Sequence, residues 1–331
     1  MTVGVVIPCR NEARWLGEVL GALAVQTMRP DEIVVVDDGS TDDTASIARR
    51  FSKERDFDRL RVIPGPERGV AAAVAAGVAA LRTDIIVRLD GHCRPAPDYI
   101  ERAVALVAQP EIGVAGGVWQ IEAGAASREA EAIAIGVAHP MGSGGALYRR
   151  ATLPRAVDVD TVAFGCFRRS LWTELGGFNQ QLRSNEDYEF NYRVRLKGLR
   201  VVLDPSIRCT YYARSTVGEV ARQYARYGWW KARMLLRHPA SIWWRQLAPV
   251  MLVPALIAVL LGSFITGARI WWLLLAAYPA AVAIGAVHAA GARRKWSAAG
   301  WLVATFMTIH LSWSMAFWAS LASAAVGRRQ A

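Results

Sequence analysis

Short apolar runs alternate with amphipathic stretches over the first ninety residues. Thr2 to Pro8, Glu32 to Val36, Arg61 to Ile63 and Ile85 to Leu89 are the runs, the third being the weakest. Their length and β-branched content predict strands, and the absence of a clear period of two predicts burial on both faces. Between them, Leu16, Val19, Leu20 and Leu23 repeat with the spacing of one packed helix face. Thr44 to Phe51 and the alanine-rich Val70 to Leu81 also read as helices. Strands alternating with helices predict an α/β fold with a doubly wound, mostly parallel sheet.

Polar residues gather where three of these strands end: Arg10 and Glu12, Asp37 and Asp38, Asp90 and His92. Open α/β sheets bind ligands at the carboxyl ends of their strands, so all three sets are candidates for one site. Asp90 and His92, one residue apart, can lean toward one cation, and a carboxylate with an imidazole suits Mn²⁺ or a similar ion. Asp90-Gly91 is also a turn former in its own right. Asp37 and Asp38 can accept from a base N–H or a ribose hydroxyl, while Ser40, Thr41 and Asp42 have N-cap chemistry. No G-x-G-x-x-G follows the first strand, which argues against a dinucleotide fold.

Val114 to Ile121 predicts a further strand running into an irregular segment. Ala138 to Ala146 is glycine-rich and reads as a loop, either covering a ligand or lying on the surface. Gly176-Gly177-Phe178 then turns the chain toward a helix from Asp187 to Lys197, preceded by Asn185-Glu186. Acids at a helix start interact favourably with its dipole, so capping accounts for them as readily as chemistry does. Thr216 with Glu219 forms a capping-box pattern. Beyond it, Arg222, Arg226, Lys231 and Arg233 mix with Trp229, Trp230, Trp243 and Trp244, a combination suited to a lipid headgroup layer.

The last eighty residues change the pattern altogether. Leu247 to Thr266, Ile270 to Ala292 and Trp296 to Gly327 carry no charged residue. Each is long enough to cross a hydrocarbon core of about 30 Å. Charge follows the same division: residues 206–331 hold 14 Lys and Arg against one acid, Glu219, while residues 1–205 are nearly balanced. A basic, aromatic tail beside apolar spans points to an anionic membrane, not to nucleic acid. The positive-inside rule puts Arg293-Arg294-Lys295 and the basic segment before Leu247 in the cytoplasm, with Arg269 outside. His288 and His310 fall within spans, where they either pack helices together or meet a lipid diphosphate, and His139 reads as a loop or packing histidine. Val3 to Pro8 is too short for a secretory signal. Cys9, Cys93, Cys166 and Cys209 form no C-x-x-C pair, which fits a reducing compartment and argues against a zinc knuckle.

Pro8-Cys9-Arg10-Asn11-Glu12, Val34-Val35-Val36-Asp37-Asp38-Gly39-Ser40-Thr41-Asp42 and the strand-end Asp90 together resemble the family 2 glycosyltransferases of the GT-A fold. Asp90-Gly91-His92 stands where that family usually has D-x-D, and D-x-H resembles the membrane-anchored, succinoglycan-type exopolysaccharide enzymes. Glu186-Asp187 is similar to the family's E-D motif, and Gln223-x-x-Arg226-Tyr227 to its Q-x-x-R-W, with Tyr in place of Trp.

The resemblance implies inverting transfer of a sugar from a nucleotide-sugar, expected to be a UDP-sugar. It implies donor contacts from Pro8, Arg10, Glu12, Asp37, Asp38, Arg68 and Asp90, and a divalent cation, Mn²⁺ or Mg²⁺, on Asp90 and His92. Asp187 is then the base, with Glu186 beside it. Gln223, Arg226 and Tyr227 take the acceptor and diphosphate side. The implied acceptor is a polyprenyl-diphosphate-linked saccharide at a bacterial inner membrane. A cytoplasmic catalytic domain is expected over residues 1–213, interfacial helices over 214–246 and three transmembrane helices over 247–327. Two rivals remain at this level: transfer to a polyprenyl phosphate, and a non-catalytic membrane scaffold.

Overall fold

The computed structural model describes residues 1–55, 57–149, 153–241 and 246–327. Trp243, Trp244, Arg328 and Arg329 lie outside the described residues. The chain divides into two compact units, one of residues 1–120 and 150–211 and one of residues 121–149 and 212–331. Residues 121–149 group with the C-terminal helices in this division.

The first unit opens with β1 (Val3–Cys9), α1 (Leu16–Ala24), β2 (Glu32–Asp37), α2 (Thr44–Glu54), β3 (Leu60–Pro64), α3 (Val70–Ala80) and β4 (Ile85–Arg88). It continues through β5 (Cys93–Pro95), α4 (Tyr99–Val107), β6 (Ile112–Glu122) and, beyond the second unit's insertion, β7 (Val157–Asp158) and β8 (Cys166–Arg168). Among the described residues the sheet has nine strands, ordered β3-β2-β1-β4-β8-β6 and then the long strand Arg200–Tyr212 (β9) and β5, with β7 also on β9. β1, β2, β3 and β4 pair in parallel, and β8 joins β4 antiparallel. The sheet is therefore mixed: doubly wound and parallel through β3-β2-β1-β4, with β8, β6, β5 and β7 in antiparallel pairs.

Val5, Val6, Ile7 and Val34 to Val36 are fully buried, which explains the unbroken apolar runs. Leu16, Val19, Leu20 and Leu23 of α1 are buried as their spacing requires. α3 is alanine-rich for a steric reason. A Cβ on its Gly77 would stand 2.3 Å from Val6 Cγ2 and 2.9 Å from Val36 Cγ2, so the helix sits too close to the sheet for a larger residue.

In the second unit, α5 (Arg128–Ala138) and α6 (Pro140–Ser143) replace the loop expected around 138–146. The signal for α5 was present: Ala130, Ile133, Ala134 and Val137 follow helical spacing and are buried. His139 links the two helices. Its Nδ1 accepts the Met141 N–H at 3.3 Å, and its Nε2 lies 3.4 Å from Nδ1 of His288. Nε2 of His310 lies 2.9 Å from the Met141 carbonyl, so these histidines tie helices to one another.

The unit's long helices, numbered after α7 (Arg169–Glu174) and α8 (Glu186–Leu196) of the first unit, are α9 (Val217–Arg237), α10 (Leu247–Thr266), α11 (Ile270–Ala292) and α12 (Ala299–Gly327). α9 starts with the expected capping box: Glu219 N–H donates to Thr216 Oγ1 at 3.3 Å, and Thr216 N–H donates to Glu219 Oε2 at 3.3 Å. The spans Leu247–Thr266, Ile270–Ala292 and Trp296–Val326 are long and apolar enough to cross a membrane. Phe264, Ile265 and Ile284 face outward, as lipid contact requires.

Candidate active site

The site is built at the carboxyl ends of β1, β2 and β4. Asn11 joins the first two loops by accepting the Thr41 N–H at 2.8 Å and giving its own N–H to Ser40 Oγ at 3.0 Å. Ser40 and Thr41 therefore serve the loop and do not cap α2. Asp38 is 4% exposed. Its carboxylate accepts the Glu67 N–H at 2.6 Å and the Gly69 N–H at 3.0 Å, which shapes the loop into α3. Each oxygen thus meets one backbone donor of the fold, and the nucleoside contact expected of Asp38 would use its remaining lone pairs. Asp37 is half-buried and receives the Ser40 N–H at 3.2 Å. Pro8 is buried in β1 opposite Val36, while Arg10 and Arg68 are exposed.

Gly91 brings the next two groups together. A Cβ there would meet Glu12 Cγ at 2.8 Å and Cys9 Sγ at 3.1 Å, so only glycine permits the approach. Glu12 Oε1 lies 2.9 Å from Nδ1 of His92. The other flank of the imidazole packs on Tyr211, ring centroids 5.2 Å apart, and Tyr211 stacks on Trp119 at 4.1 Å. Glu12 thus holds the Nδ1 side of His92 and leaves Nε2 for a ligand, the usual arrangement of a metal-binding imidazole. Glu12, expected on the donor side, also partners His92, and a pairing eighty residues apart has no local signature in the sequence.

Asp90 leans the other way. Its Oδ1 accepts from Arg88 at 3.0 Å. The same guanidinium lies 3.1 Å from Glu186 Oε1 and 3.8 Å from Asp187 Oδ2. The Arg88 and Glu186 side chains are 6% and 5% exposed, while Asp187 keeps 30%. Arg88 is the residue sequence reasoning passed over. Its signal was a charge inside an otherwise apolar strand, where a fully buried guanidinium demands partners.

The acids reach Arg88 through the turn before α8. Gly176 and Gly177 have φ of +72° and +69°, and a Cβ on Gly177 would meet Trp172 at 2.7 Å. Phe178 then enters an aromatic cluster with Trp172 and Phe190. Asn185, the N-cap, takes the left-handed conformation that asparagine tolerates. Burial pushes the Glu186 carboxyl up to about 7 against the opposing charge of Arg88. Burial also raises Asp187 above the ordinary carboxylate range, again opposed by Arg88.

In the second unit, Gln223 Nε2 donates to Tyr227 OH at 2.9 Å and the exposed Arg226 lies over the Tyr227 ring. The three residues of that motif are neighbours on α9. Among the described residues no group of three or more His, Cys, Asp and Glu is arranged to hold a metal ion.

The comparisons with known proteins identify the class to which this mixed sheet and its gathered acids belong. The family model described as Glycosyl transferase family 2 matches residues 4–174, and the chain belongs to that family. It is a glycosyltransferase. Succinoglycan biosynthesis protein ExoA of Rhizobium meliloti (strain 1021) is 30% identical over 331 residues, covering 96% of this chain and 94% of the relative. A dolichyl N-acetyl-α-D-glucosaminyl phosphate 3-β-D-2,3-diacetamido-2,3-dideoxy-β-D-glucuronosyltransferase of Methanococcus voltae is 23% identical, covering 83% of this chain and 84% of the relative. The solved mannosyltransferase PcManGT from Pyrobaculum calidifontis, in complex with GDP-Man and Mn²⁺, superposes with a TM-score of 0.63 at 22% identity. It covers 93% of this chain and 86% of that one, and the likeness establishes the fold.

Proposed function

We propose that the chain is an inverting, metal-dependent transferase that moves a sugar from a UDP-sugar to a polyprenyl-diphosphate-linked saccharide at a bacterial inner membrane. The reaction serves exopolysaccharide or related lipid-linked glycan assembly, in keeping with the names of its relatives. The observation that carries this reading is the convergence of Asp90 and Asp187 on Arg88, with Asp187 more open than its neighbour Glu186.

Asp187 takes the proton of the acceptor hydroxyl as its oxygen bonds to the anomeric carbon. The bond from that carbon to the diphosphate breaks, and the nucleoside diphosphate leaves with the electron pair. A single displacement needs this one base and inverts the configuration. Asp90 and the Nε2 of His92 would hold a divalent cation, with Glu12 orienting the imidazole. Mn²⁺ or Mg²⁺ bound there supplies positive charge for the departing diphosphate. Two protein ligands suffice when diphosphate and water complete the shell. Asp38 contacts the nucleoside as well as shaping its loop, with Asp37 beside it. Arg10 and Arg68 supply donor-side charge. Gln223, Arg226 and Tyr227 take the acceptor side, and the catalytic unit lies in the cytoplasm, where nucleotide-sugars are made.

The test is release of nucleoside diphosphate by the full-length protein from a panel of UDP- and GDP-sugars, with lipid-linked acceptors and with or without Mn²⁺. Cation-dependent transfer from a UDP-sugar is expected. Absence of turnover with every pair, in protein that still binds UDP, would support the scaffold reading instead. Transfer to a bare polyprenyl phosphate would replace the acceptor.

A further inference from the structure

Arg88 has more partners than its burial requires. One carboxylate neutralises one guanidinium, and Glu186, 5% exposed and 3.1 Å away, already does so. Yet the same side chain also holds Asp90 at 3.0 Å and reaches Asp187 at 3.8 Å. Its guanidinium lies over the Phe178 ring at 5.8 Å, on the turn that leads into α8. Asp90 follows β4 and Glu186-Asp187 opens α8, segments nearly a hundred residues apart in sequence. Three carboxylates gathered this closely repel one another unless a cation stands among them. Nη2 donates to Asp90 while Nη1 faces Glu186 and Asp187 at ion-pair distance without a hydrogen bond, so two nitrogens held in one plane stand toward the two sides, whereas an ammonium is a single point charge on a flexible stem.

We propose that Arg88 is a positioning residue that ties the donor side of the site to the base. It fixes the Asp187 carboxylate relative to Asp90, and so relative to the donor carbon that Asp187's proton transfer serves. The inference rests on the proposed roles of Asp90 and Asp187. It adds that their separation is set by one shared guanidinium and not by the two backbones alone. Loss of the fork then displaces the base while leaving donor binding nearly intact.

The experiment uses the full-length protein in detergent and four variants: Arg88→Lys, Arg88→Met, the double variant Arg88→Met with Glu186→Gln, and Asp187→Asn. Three quantities are read: kcat and KM from nucleoside diphosphate release, calorimetric binding of UDP in the presence of Mn²⁺, and thermal unfolding. Arg88→Lys is expected to lose kcat by roughly 10²-fold, the effect of misplacing a reacting group by about 1 Å, with UDP affinity within about threefold of wild type. Arg88→Met leaves Glu186 buried without its cation and is expected to melt earlier. The double variant removes that unpaired charge, so its melting recovers while kcat stays low. Recovery of kcat together with melting would reduce Arg88 to a neutraliser of Glu186 and overturn the inference. So would a wild-type kcat in Arg88→Lys. If Asp187→Asn is inactive while Arg88→Lys is not, only the role of Arg88 falls. If Asp187→Asn turns over like wild type, the base assignment falls and this inference with it.

Discussion

Asp187 and Glu186 are adjacent acids with different surroundings, and this separates their roles. Glu186 is sealed against Arg88, whereas Asp187 retains a third of its side-chain surface. Asp187→Asn is expected to keep the fold and UDP binding but to lower turnover by roughly 10²- to 10⁴-fold, the usual weight of a general base. Turnover within a few-fold of wild type would remove Asp187 from that role. Glu186 gives a stability signature. Its carboxyl sits at about 7 in the folded chain against an ordinary value of 4.5. Over that window the folded state binds more protons than the unfolded one, so this contribution to stability is full below 4.5 and is lost as the pH rises through about 7. Melting of the metal-free protein should therefore fall across that window, and Glu186→Gln should flatten the slope. An unchanged slope would show that Glu186 does not titrate there. At His92, alanine should weaken Mn²⁺-dependent UDP binding on the order of 10-fold, and aspartate should retain binding while shifting preference toward Mg²⁺. Wild-type Mn²⁺ affinity in His92→Ala, measured by calorimetry, would make the histidine a bystander.

At the scale of elements, the second unit shows how the amphipathic α9 and the apolar helices α10 and α12 pack. A Cβ on Gly228 of α9 would stand 2.1 Å from the Trp313 carbonyl of α12, so the two backbones meet at a glycine. Pro254 within α10 cannot donate to the carbonyl of Val250, four residues earlier, and Trp318 Nε1 fills that place at 2.8 Å. Gly228→Leu forces the helices apart and should destabilise the protein by about 1–3 kcal/mol, the usual cost of overpacking. The check is thermal unfolding in detergent beside Gly218→Leu, since a Cβ at Gly218 has only Arg222 near it, at 4.0 Å. Equal melting of the two variants would dismiss the close contact. In the first unit, each strand and helix expected up to Leu89 is present, with ends shifted by a residue or a few. Their signals are local: β-branched runs for the buried strands and a repeating apolar face for α1.

At the scale of the molecule, a charge-balanced sheet unit shares the chain with a basic unit bearing three apolar helices. The proposed orientation keeps the catalytic unit in the cytoplasm. Reporter fusions after Arg269 should then report the periplasmic side, and fusions after Lys295 the cytoplasmic side. The reverse pattern would place the site away from nucleotide-sugars and defeat the proposed reaction. The membership of residues 121–149 belongs to this scale too. α5 buries Ala132 with Val282, Leu302 and Phe306, which lie more than a hundred residues further on. Nothing near α5 in sequence announces those partners.

The sequence alone determined the parallel strands β1 to β4 with their helices, the order of the acid-bearing strand ends, the helix starting at Glu186-Asp187 and the three apolar spans; β5, β7 and the long β9, which pair antiparallel, were not legible in it. The legible elements all depend on residues within one run or one helical face, where period, β-branching and capping act over a few positions. Tertiary structure decided the partners. It gave Asp38 to the amides of Glu67 and Gly69, Glu12 to His92, and Arg88 to three carboxylates. An ion pair or a buried hydrogen bond is fixed by where distant segments meet, and a charged residue in a strand does not carry the address of its partner. The chemistry of the candidate site could therefore be read as a set of acids, but the guanidinium that joins them became visible only once β4 and α8 were folded against each other.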